Sequence, residues 1–550
     1  MLREASYYSR MALGVYKLAR APLEADPEGL VRRTLENREA NFLNLMRRVV
    51  FANPSNPYYT LFQWAGCTYG DLEHAVASDG LEPTLESLRK AGVYLANDEF
   101  KGKRPVERSG RQLPVESHQF ANPLVRGLLE TTSGATRSSG TISRRSLEFQ
   151  IYREAQTRVL YDQFGLSERP IVGIRSILPS DGGMRISLTF ARRGLPYEKW
   201  FALGGSFRGS GHYRLVTKFL LLEARVLGAP LKFPHYLPQN DFLPVARWIA
   251  QRRSEGLKPI LWSNVSGGVR VAAAATEAGL DISGTTCLVG AEPLTEAKRE
   301  VIEGAGCEAY ARYGISELGQ VGAACPQMNK DNTVHVCRDS LAAISYRRMA
   351  PLTEVEIDSL MFTTLLPCAA FVLVNVEMDD SGVLEPARCD CRLKAMGLTQ
   401  QVSNIYSYGR LTGQGMTLVG WDILRILEHS LPRRFGGTST DYQLVEAEGR
   451  NQTEMELRVH PRVGAHTPEE IRKFFLSEVK ALWGGALTRR SWEHTEGVRV
   501  VIAEPYVSGK QRIHPLHLLG TTQQQRRGTT GLAEDLAVPA GEHRGHSGDK

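Results

Sequence analysis

A chain of 550 residues exceeds what one hydrophobic core organises, so two or more domains are expected. Hydrophobic residues at 42% and charged residues at 23% fall in the globular range, and the lack of an apolar run of roughly 18 residues argues against a membrane span. The net charge of +7 is spread along the chain, so it permits weak attraction to anions without the basic block that would mark a nucleic-acid-binding protein.

In chain order, the opening stretch MLREASYYSRMALGVYKLAR lacks an apolar core followed by a small-residue cleavage site, and is predicted as an amphipathic surface helix. The stretch LLETTSGATRSSGTISRR, Leu128 to Arg145, concentrates hydroxyls and glycines ahead of two arginines. Such a composition suits a loop that wraps phosphate oxygens, and equally a linker. A helix is predicted over Tyr213 to Leu227, closed by Gly228, and another in LPVARWIAQRRSEG, ended by Gly256. A short apolar strand follows at Ile260 to Trp262, then helix VRVAAAATEAGL, buried strand TTCLVGAEP and helix TEAKREVIEGAG. Strands alternating with helices indicate an α/β domain with a largely parallel sheet.

After residue 340 the texture becomes β-rich, as in AAFVLVNVEM and NIYSYGRLTGQGMTLVG. From Trp421 a smaller α+β segment is predicted: helix WDILRILEHSLP, strands DYQLVEAEG and EMELRVHP, helix PEEIRKFFLSEVKALWG and strand VRVVIAEP. Residues 521–550 have little to bury and are expected to be disordered. Eight cysteines are sparse for this length, which fits a reducing, cytoplasmic setting.

Ligands of an open parallel sheet bind at the carboxyl ends of its strands. Four segments there look chemically loaded, all expected as loops: the hydroxyl-rich stretch, VGAEPLT (Val289 to Thr295), ARYGISELGQ (Ala311 to Gln320) and VSGKQRIHP (Val507 to Pro515). Each alone is weak, because a Ser/Thr/Gly cluster is usually a surface loop and Tyr313 alone would be a packed aromatic. Their order along the chain is more informative.

That order, with RYGISELGQVGAAC and YVSGKQR as its most specific pieces, resembles the adenylate-forming superfamily of acyl-CoA synthetases, peptide-synthetase adenylation domains and luciferases, and within it the phenylacetate-CoA ligase branch. The resemblance runs from about Asn53 to Leu519. It implies an α/β fold with a large multi-subdomain N-terminal domain over 1–408, a hinge at 409–416 with the glycine-bearing turn Thr412 to Gly415, and a small α+β domain over 417–520. It further implies that Thr132, Ser133, Gly134 and Thr136 cradle the phosphates of ATP, while Gly290, Ala291, Glu292 and Pro293 lie against adenine. In YGISE, Tyr313 and Gly314 would flank adenine, Ser316 would bond the α-phosphate and Glu317 would hold Mg²⁺, a hard cation that prefers carboxylate oxygen. Asp379 or Asp380 would bond the ribose hydroxyls, Arg410 would reach the ribose or phosphates, and Lys510 would be the mobile lysine of the first half-reaction. The chain departs from the family where Arg137 replaces a glycine and where Arg144 or Arg145 must serve for a lysine.

The activity so implied is ATP-dependent activation of a carboxylic acid with pyrophosphate release, then transfer to coenzyme A. The alternatives are transfer to an amine or a carrier-protein thiol, or a nucleotide-binding protein that has lost turnover. The partners expected are a small carboxylic acid, ATP, a thiol acceptor and a second copy in a homodimer. The acid is expected to be lined by Trp262 to Gly267 and Gly290 to Pro293, an apolar setting. Separately, Cys325, His335, Cys389 and Cys391 have the donor types of a closed structural zinc site, which the resemblance also suggests. Four unrelated reduced side chains are the other reading, with Cys337 and Cys368 as further candidates.

Overall fold

The computed structural model describes residues 2–126, 129–132, 142–177, 182–202, 211–229, 231–237, 241–291, 294, 296–330, 332–349, 356–407, 410–413, 416–419, 426–437, 441–448, 453–481, 498–505 and 516–518. Its centre is a twelve-stranded mixed sheet. After the opening helix α1 (Leu2–Arg20) and a run of further helices, strands and helices alternate, from Tyr213 on as predicted: α2 (Leu147–Tyr161), β1 (Ile171–Ile174), α3 (Gly182–Arg192), β2 (Tyr197–Ala202), α4 (Gly211–Val226), β3 (Pro234–Tyr236), α5 (Leu243–Ser254), β4 (Ile260–Asn264), α6 (Val265–Glu277), β5 (Thr286–Gly290), α7 (Glu296–Gly304) and β6 (Glu308–Ile315). Strands β1, β4 and β5 are buried along nearly their whole length, which is why they read as apolar runs rather than alternations. The opening helix α1 is amphipathic as expected, burying Met11, Val15 and Leu18 and leaving Leu13 and Tyr16 exposed.

From β6 the chain turns back on itself. Antiparallel strands β7 (Gly319–Ala323), β8 (Val334–Val336), β9 (Leu341–Met349), β10 (Glu356–Thr364), β11 (Val376–Pro386) and β12 (Gln400–Ser407) extend the sheet. The full spatial order is β9-β10-β11-β12-β8-β7-β6-β5-β4-β1-β2-β3. Two expectations change here. The segment ARYGISELGQ is mostly strand: Tyr313 and Gly314 belong to β6, and only Ser316 to Leu318 turn. The stretch AAFVLVNVEM becomes strand only from Val376, because Leu373 and Val374 spend their backbone amides on the hydroxyls of Thr364 and Tyr58.

A ribbon of β13 (Arg410–Gly413) and β14 (Met416–Val419) follows, then a separate four-stranded sheet of β15 (Tyr442–Glu448), β16 (Thr453–Val459), β17 (Val498–Ile502) and β18 (Leu516–Leu518) in the order β17-β16-β15-β18. Helix α8 (Pro468–Ala481) buries Ile471, Phe475, Leu476 and Val479 in the core that includes Leu444, Leu457 and Val498. This core, from Ile426 to Val500, shares no residue with the larger one, from Met11 to Ile405. Part of the predicted helix from Trp421 is a π-helical turn over Ile426–Ser430 leading into Leu431–Phe435, and residues 421–425 lie outside the described ones. So does the 521–550 tail. Among the described residues no helix is long and apolar enough to cross a membrane.

Candidate active site and metal centre

The β6–β7 hairpin collects most of the site. A bulge between Tyr313 and Gly314 breaks the register, and Gly319 closes the turn at φ +91°, a conformation that suits glycine. The Tyr313 hydroxyl donates to Asp380 Oδ2 at 2.6 Å, so the ring lies beside a carboxylate on β11. Of the two aspartates that the sequence left open, Asp380 is therefore the one joined to Tyr313. Asp379 takes a left-handed φ of +59° and accepts from the amide of Asn97.

Glu317 is buried at the turn and ion-pairs with Lys101. Lys101 follows the short helix Asn97–Phe100, and Arg108 secures that helix with donations to both oxygens of the buried Glu99, at 2.9 and 3.0 Å. One anchored turn thus presents Asn97 to Asp379 and Lys101 to Glu317. No local pattern in NDEFKGK signals either contact.

The hydroxyl-rich stretch is carried by a ribbon, Leu129–Thr132 paired with Ile142–Arg145. Arg145, at the ribbon's end, is buried and donates from Nη2 to the Ser316 carbonyl at 3.1 Å. Next to it the Ser146 hydroxyl caps α2 by accepting from Phe149 N at 3.1 Å. Of the two arginines that could serve for the missing lysine, Arg145 is the one at the Ser316 turn. Thr132 is placed as a strand residue, whereas Ser133, Gly134 and Thr136 lie outside the described residues.

At the end of β5 a Cβ on Gly290 would lie 2.3 Å from the Arg312 carbonyl, so only glycine fits that close approach. Ala291 then turns the chain off the strand at φ +69°. Glu292, Pro293 and Lys510 lie outside the described residues, and Arg410 is placed only as a strand residue of β13.

The second centre is the cysteine cluster. One donor atom each from Cys325, His335, Cys389 and Cys391 lies within 4.8 Å of the others. His335 Nε2 is 3.1 Å from Cys391 Sγ and 3.2 Å from Cys389 Sγ, and the two sulfurs are 3.5 Å apart. Tetrahedral ligands at Zn–S distances of about 2.3 Å stand roughly 3.7 Å from one another, so no pair of donor atoms has to move by more than about 1 Å to close round an ion. The other ring nitrogen, Nδ1, is 2.9 Å from the Leu398 carbonyl. With its proton directed there, Nε2 presents its lone pair to the cluster. Burial holds the His335 pKa down at about 4, so the ring is neutral and ligand-competent near pH 7. Burial pushes the Cys325 and Cys391 thiols up, a cost that a bound dication offsets by taking them as thiolates. Cys337 and Cys368 are not part of the cluster. Cys325 lies past the far end of β7 from the Ser316 turn, about 17 Å along a five-residue strand.

No family model and no curated protein matches this chain. Solved structures do. The anthranilate CoA ligase AuaEII in complex with anthranoyl-AMP matches over 94% of this chain and 100% of its own, at 9% identity and a TM-score of 0.30. PA1221, a nonribosomal peptide synthetase protein containing adenylation and PCP domains, matches over 95% and 99%, at 11% identity and a TM-score of 0.33. An AMP-forming acyl-CoA synthetase/AMP-acid ligase II-like protein from Dyadobacter fermentans matches over 72% and 89%, at 12% identity and a TM-score of 0.24.

Proposed function

We propose that the protein activates a carboxylic acid with ATP, giving an acyl-adenylate and pyrophosphate, and transfers the acyl group to coenzyme A in the manner of phenylacetate-CoA ligases. The observation that supports this most is the convergence of distant segments on the Ser316–Glu317 turn: the ribbon through Arg145, the anchored turn through Lys101, and β11 through the Tyr313–Asp380 bond. In this reading Tyr313 lies against adenine beside Gly290, Ala291 and Gly314, and Asp380 takes the ribose hydroxyls. Ser316 and the hydroxyls of Thr132, Ser133 and Thr136, with the Gly134 amide, hold phosphate oxygens. Glu317 would hold Mg²⁺, which would neutralise charge on those oxygens. Charge spreading over non-bridging oxygens in phosphoryl and nucleotidyl transfer is met by fixed donors and cations rather than by an acid–base pair.

Division into 1–408, a hinge at 409–416 and 417–520 is supported by the two separate hydrophobic cores, and it lets Lys510 approach and leave. A homodimer is supported by the exposed stripe Leu215, Phe219, Leu222 and Val226 on α4. Eight unpaired cysteines suit a cytoplasmic setting. Pyrophosphate exchange with aromatic, aliphatic and amino acids tests the reading, followed by thioester formation with coenzyme A. Exchange with no acid would leave a nucleotide-binding protein without turnover, and product formed only on a carrier thiol or an amine would replace coenzyme A as acceptor.

Tyr313→Phe keeps the ring and removes the bond to Asp380. A hydrogen bond to a charged group is worth about 1.5–3 kcal/mol. The KM for ATP should therefore rise about tenfold or more with kcat little changed, and an unaltered KM would detach Asp380 from the nucleotide.

We also propose that Cys325, His335, Cys389 and Cys391 bind one structural zinc ion. Protein purified without added metal should contain about one zinc per chain. The Cys389→Ser/Cys391→Ser double variant should lose the metal and melt at a lower temperature. A parent protein free of metal would return the four to ordinary reduced side chains.

A further inference from the structure

Strand β11 is irregular where the two aspartates sit. Met361 of β10 pairs with Glu377 and Ser359 pairs with Ser381, so a step of two residues on β10 spans a step of four on β11. The surplus is taken up by a bulge over Met378, Asp379 and Asp380. Such bulges re-aim side chains and are common beside active sites. On the other side of β11, Asp380 pairs with Ser407 of β12. Within the bulge Asp379 takes its left-handed φ of +59°. That conformation is costly for any residue but glycine, and it persists where the surroundings hold it.

Contacts on three sides supply that hold. At the base of the bulge, Glu377 accepts from Arg348 Nε and from Ser359 Oγ, both at 2.9 Å, and from the Tyr346 hydroxyl. Beside it, Leu95 runs parallel to Val376: the Leu95 backbone amide donates to the Asn375 carbonyl at 3.1 Å, and the Glu377 backbone amide donates to the Leu95 carbonyl at 2.9 Å. Two residues further along, the Asn97 side-chain amide donates to Asp379 Oδ2. Asn97 is 5% exposed and opens the short helix that Arg108 anchors through Glu99, so it reaches the bulge from a fixed base. Its side-chain oxygen, Oδ1, is buried and has no hydrogen-bond partner among the described residues. Burying an unused acceptor is unfavourable. Asn97 therefore serves Asp379 at some expense to the fold.

The bulge sets the direction of Asp380. In a regular strand successive side chains alternate between faces, and a residue in the left-handed region breaks that alternation, so where Asp380 points follows from the conformation of Asp379 just before it. With Asp379 held, Asp380 Oδ2 accepts from the Tyr313 hydroxyl at 2.6 Å. We propose that Asn97 is a positioning residue for the ribose of the nucleotide: through Asp379 it keeps the bulge in the conformation that aims the Asp380 carboxylate, beside Tyr313, at the ribose hydroxyls. This rests on the acid-adenylating reading above. Asn97 touches no nucleotide in this role. Its loss shows as lost recognition of the ribose rather than as slower chemistry.

The test compares AMP with 2′,3′-dideoxy-AMP, which lacks both ribose hydroxyls, in calorimetric binding to the full-length protein, with pyrophosphate exchange run alongside. The parent should bind AMP at least about tenfold more tightly than the dideoxy nucleotide, the scale of one hydrogen bond to a charged group. Asn97→Ala and the isosteric Asn97→Asp should each weaken AMP by about that factor and leave the dideoxy nucleotide unchanged. In exchange, both should raise the KM for ATP with kcat little altered. Asp379→Gly should keep most of the preference, because glycine takes a positive φ unaided. Adding Asn97→Ala to Asp379→Gly should then change AMP binding by less than about twofold, as expected if Asn97 acts through Asp379. Equal weakening of both nucleotides, or a preference that both Asn97 variants retain, overturns the inference and leaves the adenylating reading in place. A parent that binds the two nucleotides alike does the same. Ribose preference lost in the Asn97 variants, with no exchange for any acid, supports the inference and overturns that reading instead. A parent that binds neither nucleotide overturns both.

Discussion

Glu317→Gln should lower adenylate formation by about 10²–10³-fold, the scale on which one preorganised electrostatic contact to a transition state is lost. The substitution keeps the shape of a buried side chain and removes its charge, so the effect should concentrate in the chemical step and in the Mg²⁺ dependence. Lys101 complicates the outcome in a useful way. Its ammonium now neutralises Glu317, and breaking a buried pair from one side costs about 3–5 kcal/mol where the remaining charge stays dry. A moderate fall in melting temperature should therefore accompany the loss of exchange. Lys101→Met separates the two contributions: if the lysine only holds the carboxylate until the metal arrives, this variant should need less Mg²⁺ for half-maximal exchange. Near-normal exchange by Glu317→Gln at limiting Mg²⁺ would falsify the metal-binding role.

Lys510→Ala should produce a loss of similar size, about 10²–10³-fold, but confined to the first half-reaction. The lysine is flanked by Gly509 and Arg512 shortly after the residues of β17. On the proposed division it belongs to the small domain and can neutralise charge on the reacting carboxylate and α-phosphate only when that domain closes. Thioester formation from chemically prepared acyl-adenylate should proceed at close to the parental rate. Equal losses in both half-reactions would make Lys510 structural. Unchanged rates in both would remove its part in the chemistry altogether.

Much of the framework was legible in the residue order. The helices α4, α5, α6 and α7 and the strands β4 and β5 fall where apolar spacing and closing glycines put them, because burial on one side of a regular element writes a short period into the sequence. The donor types of the metal cluster were legible too. What separates His335 from the nearby Cys337 is β8, which carries the imidazole toward Cys389 and Cys391 while Cys337 is buried apart from them.

The pairings that make the site were not legible. Lys101 meets Glu317 across 216 residues, Arg145 meets Ser316 across 171, and Tyr313 meets Asp380 across 67. No period links such positions, since their meeting depends on the spatial order of the sheet and on where the chain reverses. The YGISE stretch had the composition of a loop, yet antiparallel pairing with β7 made most of it strand, with only Ser316 to Leu318 turning. By itself the sequence determined which segments could become helix or strand and which chemical groups were present, because local burial patterns and side-chain chemistry are properties of short stretches. Only the tertiary structure decided that Asp380 rather than Asp379 joins Tyr313, that Arg145 reaches the Ser316 turn, and that Lys101 meets Glu317, because those outcomes follow from strand order and packing between residues remote in the chain.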